Sequence, residues 1–431
     1  MPELTFSPAS GDNCRLFALR TRGAPNLHKE GETLLTYTLP GGLPAGSRTV
    51  WSRLTLLPLA PTVLTPFSYS VLADMAGRAW FLHYDRLGFE PMPRARVLRS
   101  HQGCPYANAT LSAQREAEAA GVAPPILLLD GKPFPLAKVE KAGFLAGIKA
   151  GMNERKIDKV LRAYADEVQV AADMAQTWLA RVRAMRWSQA EILQIMEEIE
   201  PFAAAPFAIL LAVRQNVDAL FNRIALLLAD KMPAPEAVAL LDAALAGVSH
   251  PVEDEIARRL REMAAQATPI AHAWLAGAGA DWQRTCPDPA LADALRSFLD
   301  RFGHRSAAIA EVSTPRWEED PTPILRALAH SAAQPAAASP GSPAAPDPLA
   351  SLAPGDRKQA AQALGDLRRL LPLQSRALDA VACMFAGARR WALAASHEAM
   401  GDRRILREED VFFFELEEVK QLMTGEWNVR S

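Results

Sequence analysis

The stretch IDKVLRAYADEVQVAADMAQTWLARVRAMR, residues 157–186, decides the fold class. Its apolar side chains fall at Val160, Tyr164, Val168, Ala171, Ala175, Trp178 and Val182, the three-and-four spacing of one helix face. A chain that spends thirty residues on one such face needs other helices to cover it. They follow on the C-terminal side. Phe207 to Leu228 is a long apolar helix, and Pro235 opens the next, since proline suits a first helical turn. His250-Pro251-Val252-Glu253 starts another, with acids where the helix dipole favours them. Pro201 and Pro206 are expected to break the helix between. Residues 137–302 therefore read as an antiparallel helical bundle, and Arg357 to Met400 as a further long helix.

The N-terminal side differs. Thr33 to Leu39 reads as a strand before the turn Gly41-Gly42. Phe67 to Met75 reads as a short helix and Arg78 to Tyr84 as a strand. Gln334 to Pro348 is almost wholly Ala, Pro, Ser and Gly and cannot bury enough surface to order itself. Phe412-Phe413-Phe414 reads as strand-like, ahead of a last short helix. The expected class is α+β, mostly α, with a small N-terminal α/β unit followed by an antiparallel helical bundle. The expected divisions are an α/β domain over 1–125, a bundle over 126–333, a flexible linker over 334–355 and a C-terminal helical segment over 356–431 that packs back on the bundle.

Bulk properties narrow the function. The 431 residues are 49% hydrophobic and 22% charged with a net charge of −2, so nothing favours nucleic acid or an anionic membrane. No run of ~18 apolar residues suggests a membrane helix, and Met1-Pro2-Glu3-Leu4 does not begin like a secretory signal. Cys14, Cys104, Cys286 and Cys383 lie far apart without metal-ligand spacing, as expected of free thiols in a reducing cytoplasm. No metal site is expected.

Three separated segments carry a family resemblance. They are Pro61-Thr62-Val63-Leu64-Thr65-Pro66-Phe67-Ser68-Tyr69-Ser70; Phe302-Gly303-His304-Arg305 with Thr314-Pro315-Arg316-Trp317-Glu318-Glu319-Asp320-Pro321; and Leu406 to Val419. In order and spacing they are similar to the central, substrate-holding domain of phosphoenolpyruvate-synthase-like phosphotransferases, a group that includes rifampin phosphotransferases and phenylphosphate synthase. The resemblance spans roughly residues 50–424. It implies catalytic roles for His304, Arg305 and Arg376, and substrate contacts from Thr65, Pro66, Tyr69, Ser70, Glu311, Arg316 and Gln374. The family's mobile domain carries a phosphorylated histidine in a Gly-rich Thr-Ser-His motif. Here the Ser-His pairs at Ser100, Ser249 and Ser396 follow Arg99, Val248 and Ala395. No Gly-rich phosphate loop is visible either. The resemblance therefore implies an acceptor-binding subunit that itself binds no cofactor. ATP and Mg would sit on a partner ATP-grasp subunit, and a mobile phosphohistidine subunit would deliver the phosphoryl group to a small aromatic or hydroxylated substrate. A non-catalytic scaffold that kept the fold, or an ATP-driven condensation or activation through a phosphorylated intermediate, are the alternatives. Two positions depart from the family pattern: Ile309 stands where a Glu is common, and Gln374 replaces the acid of an Arg-Glu-x-x-Lys cluster.

Each site residue also has a structural reading. Gly303 in a left-handed conformation would end a helix, with His304 capping its carbonyls. Arg316 would pair with one of the acids beside it. Thr65 would be an N-cap, or the helix N-terminus behind it would meet an anion or phenol oxygen. Trp178, Met185, Trp187, Met196, Phe202 and Phe207 would line an aromatic pocket or simply fill a core. Arg389-Arg390-Trp391 reads as a solvated helix face or as one that meets an acidic partner, and Cys104 as a loop thiol with no activating base.

Overall fold

The computed structural model describes residues 26–27, 32–35, 49–89, 96–109, 111, 126–129, 132–135, 144–229, 231–275, 277–279, 281–333 and 347–425. The Gly41-Gly42 turn, residues 334–346 of the expected linker and Cys14 lie outside them.

Strands β1 (Asn26–Leu27), β2 (Glu32–Leu35), β3 (Thr49–Ser52), β4 (Leu98–His101) and β5 (Cys104–Asn108) form one mixed sheet in the order β1-β2-β3-β5-β4. Cys104, expected in a loop, opens β5. β6 (Ile126–Leu129) and β7 (Lys132–Pro135) make a separate antiparallel hairpin. Gln102 and Gly103 form the β4–β5 turn, both with positive φ (50° and 73°). That geometry matches the twist of a two-residue hairpin. A side chain at Gly103 would come within 2.4 Å of Val63 Cγ1, and the Gly103 carbonyl accepts from Leu64 N at 2.8 Å. The hairpin tip thus pins the chain just before the first helix.

That helix, α1 (Pro66–Arg86), corrects the expected helix-then-strand pair. Arg78 to Tyr84 is aromatic-rich and looks β-like by composition. Yet Phe67, Val71, Met75, Ala79, Trp80, His83 and Tyr84 are buried along one unbroken helix face, and face burial overrides local propensity. α2 (Phe144–Ala184) and α3 (Gln189–Ala229) follow. Pro201 and Pro206 lie inside α3 without breaking it. Each removes one backbone hydrogen bond, but Ile195, Ile199, Ala203, Phe207, Leu210, Val213, Val217 and Phe221 stay buried along the helix on both sides of them. α4 (Ala234–Leu245) closes this part.

Next come α5 (Pro251–Gln266), α6 (Pro269–Leu275), α7 (Trp282–Thr285), α8 (Pro289–Phe302) and α9 (Thr322–Ala333). They enclose their own core around Leu260, Leu295, Phe298, Phe302, Trp317 and Leu325. The larger core joins α1, α2, α3, α4 and the 48-residue α10 (Pro354–Gly401). Residues 379–389 of α10 are buried on every side, which puts this helix at the centre of the bundle. The expected Phe412-Phe413-Phe414 strand is instead a 3₁₀ turn, Glu408–Phe413, before α11 (Leu416–Thr424). Phe412 turns inward against Phe67 and under the Arg389 guanidinium, while Phe413 stays exposed. The class is α+β, mostly α. No described helix is long and apolar enough to cross a membrane.

Candidate functional site

The site is built by residues 303–320, the segment between α8 and α9 that crosses the seam of the two cores. Backbone bonds from Trp317 N to Arg305 O (2.9 Å) and from Glu318 N to Gly303 O (3.0 Å) fold it back on itself. Gly303 is helical, with φ −61°, and not the left-handed cap expected. Its lack of a side chain serves close approach: a Cβ there would lie 2.7 Å from Glu318 Cβ and 2.3 Å from Leu299 O.

The fold-back directs His304 and Arg305 at α10. His304 Nε2 meets Asp379 Oδ1 at 3.0 Å, and Arg305 Nη1 donates to the same oxygen at 2.8 Å. Arg305 Nη2 donates to Glu253 Oε1 at 2.9 Å, in the first turn of α5. Ser375 Oγ donates to the other Glu253 oxygen and accepts from Val252 N. His304 therefore bonds a carboxylate and caps no helix carbonyl. Burial would raise the Asp379 carboxyl, but the hydrogen bond from His304 and the Arg305 guanidinium overcome it and hold the group well below the usual carboxylate range. Burial opposes the charge on Arg305, and the two carboxylates more than restore it. An ionised Asp379 can only accept, so His304 donates to it from Nε2. The cluster meets solvent at one edge: the Glu253 side chain is 40% exposed, against 3% for His304 and 5% for Asp379.

A second carboxylate organises the other end of the segment. Glu311 accepts from Thr65 N (2.8 Å), Thr65 Oγ1 (3.0 Å), Ser68 Oγ (2.7 Å) and Ser313 N (2.9 Å). Thr65 is the N-cap of α1, with Pro66 in its first turn. The anion at this helix N-terminus is thus the chain's own Glu311.

Arg316 pairs with none of its neighbouring acids. It is fully buried and donates to Ser306 Oγ (2.6 Å), Ile309 O (3.1 Å) and Phe385 O (3.3 Å). Burial, with the nearby Arg389 charge, pushes its pKa down to about 10. Arg389 and Trp391 correct the expected solvated face. Arg389 is held by both Glu319 oxygens and by the carbonyls of Val312 and Ser313. Trp391 is buried and donates to Ile192 O.

None of the remaining predicted side chains is hydrogen-bonded to His304 or Arg305. Ser70 donates to Phe67 O and accepts from Leu416 N. Tyr69 is half-buried, and burial raises its hydroxyl pKa. Gln374 is buried with no hydrogen-bond partner for Oε1. Arg376 is exposed on α10. Trp178, Met196 and Phe207 belong to the main core. Among the described residues no three His, Cys, Asp or Glu side chains are grouped to hold a metal ion. Sequence reading missed Asp379 and Ser375 and took Glu253 only as a dipole acid. The available signal was an acid at position 379 among Ala377, Ala380, Val381 and Cys383, a core stretch where a charge needs a partner.

Comparison with known proteins gives one finding. Residues 212–393, which carry Glu253, His304, Arg305, Glu311, Arg316 and Asp379, match the family model of the rifampicin phosphotransferase fourth domain. No curated protein sequence matches the chain. Through this stretch the chain is similar to the phosphoenolpyruvate-synthase and rifampin-phosphotransferase-like family.

Proposed function

We propose that this chain is the acceptor-binding subunit of a cytoplasmic, ATP-dependent phosphotransferase. ATP and Mg sit on a partner ATP-grasp chain, and a mobile histidine domain carries the phosphoryl group to a small aromatic or hydroxylated acceptor held here. The observation that supports this reading best is the His304–Asp379–Arg305 cluster. A histidine oriented by a carboxylate suits proton removal from a hydroxyl, and an adjacent guanidinium suits charge developing on a transferred phosphoryl group. In the transfer step the acceptor oxygen bonds to phosphorus as the phosphorus–imidazole nitrogen bond of the donor breaks. The acceptor's proton passes to His304. Keeping ATP and acceptor on separate chains excludes water from each half-reaction.

A scaffold role is favoured by one specific observation: His304 is only 2% exposed, and Arg305 is held by two internal carboxylates. One experiment decides between the two. The purified chain, given ATP and Mg, should release neither ADP nor AMP. Given a phosphohistidine-loaded partner domain and acceptor, it should form a phosphorylated product. His304→Ala should slow that by about 10²–10⁴-fold, the range of general acid–base catalysis. ATP hydrolysis by the single chain overturns the split arrangement; transfer that ignores His304→Ala favours the scaffold.

A further inference from the structure

Close to the His304 cluster, on the other side of Gly303, Glu318 stands between two arginines. Arg183, in the last turn of α2, donates from Nη2 to Glu318 Oε2 at 2.6 Å. Arg390, on α10, donates from Nη2 to Glu318 Oε1 at 2.9 Å. Each guanidinium therefore gives Glu318 a single bond and not the two-pronged fork that arginine forms best with oxyanions. The Nε–H of each arginine is buried and has no hydrogen-bond partner. Buried donors left unmade are unfavourable, so both arginines hold unused capacity for an anion. Two cations around one carboxylate leave one positive charge over. All three side chains remain partly open to solvent, at 27% for Arg183, 31% for Arg390 and 17% for Glu318.

The frame around them is rigid. Glu318 N is fixed to Gly303 O at 3.0 Å. Trp391, next to Arg390, is anchored to Ile192 O at 2.8 Å. Trp187, in the turn after Arg183, holds a positive φ of 60° that a bulky residue adopts only under constraint from its surroundings.

We propose that Arg183 and Arg390 form a phosphoryl-binding site in which Glu318 is the resident placeholder that a phosphoryl dianion displaces. A carboxylate ligand would leave the excess charge in place, whereas a dianion balances both arginines and offers three oxygens to their free donors. This gives the phosphoryl group of the proposed transfer a seat beside the His304 cluster, and rests on that reading only for which phosphorylated species arrives. Phosphate binding by the lone chain is measurable without any partner, so the two readings fail separately.

The test is calorimetric titration of the full chain with inorganic phosphate, with thermal unfolding of each variant as a folding control. Glu318→Gln, which removes the competing charge, should bind phosphate about tenfold tighter, and Arg183→Gln and Arg390→Gln each at least about tenfold weaker, the size expected for a charge-assisted hydrogen bond. Displacement of phosphate by phenyl phosphate assigns the seat to the acceptor's product, and displacement by phosphoramidate to the imidazole-borne group. Absence of phosphate binding, arginine variants that bind like the parent, or a Glu318→Gln chain that binds no tighter overturns the proposal.

Discussion

Asp379 shows what a single residue does here. It is the one carboxylate reached by both His304 and Arg305, and it lies almost wholly out of water. Removing it leaves the imidazole without its acceptor and the buried guanidinium with Glu253 alone, and losing one member of a buried pair destabilises by about 3–5 kcal/mol. Asp379→Ala should therefore lower the unfolding free energy by that amount in urea denaturation, and a loss under about 1 kcal/mol would show the pair to be weakly coupled. His83 gives a pH prediction. It is buried against Gln215, and burial lowers its pKa to about 4, below the 6.5 of the unfolded chain. The native state refuses a proton that the unfolded state accepts, so stability falls as pH drops from 6.5 to 4, by up to about 3 kcal/mol. Asp218 acts in the opposite sense. Burial raises its pKa to about 6, so its contribution is present at low pH and lost as pH rises through 6. The difference between parent and His83→Gln across this range isolates the histidine, and parallel curves for the two would refute the assignment. Neither the Asp379 pairing nor the His83 shift is legible in sequence, because burial and partners 75 and 132 positions away set them.

At the scale of elements, helical periodicity was a dependable guide and local composition was not. The face from Tyr164 to Val182 is buried along α2 as the spacing predicts. Aromatic density suggested strands at 78–84 and 412–414, and prolines suggested a break near 201 and 206; continuous buried helix faces overruled the first and last, and a 3₁₀ turn takes the place of the second. One close helix contact is between α2 and α10. Gly387 lets the Trp178 ring approach the α10 backbone closely, and an added Cβ would sit 2.0 Å from Trp178 Cζ3. Gly387→Ala should destabilise by about 1–3 kcal/mol through overpacking, read from thermal unfolding. Pairing it with Trp178→Leu should recover part of the loss, which a simple helix-propensity effect would not allow.

For the whole molecule, the candidate site is a seam. α5 to α9 have one hydrophobic core and the long helices another, and Glu253, Ser375, Arg305 and Asp379 tie the two together through polar bonds. Glu253→Ala should loosen that tie while leaving each core intact. Native-state hydrogen exchange is then expected to quicken in α5, α8 and α9 and hold steady in the buried centre of α10. Uniform acceleration across both cores would mean that they unfold as one unit. What the sequence by itself determined is the helical class, the long amphipathic faces and the Thr65-Pro66 helix start, since each follows from spacing or from chemistry within a few residues. The tertiary structure alone decided that Asp379 and Glu253 receive Arg305, that Glu311 fills the N-terminus of α1, and that Arg389 is buried. Those outcomes depend on which distant side chains share a space without water, where an unpaired charge is too unfavourable to persist.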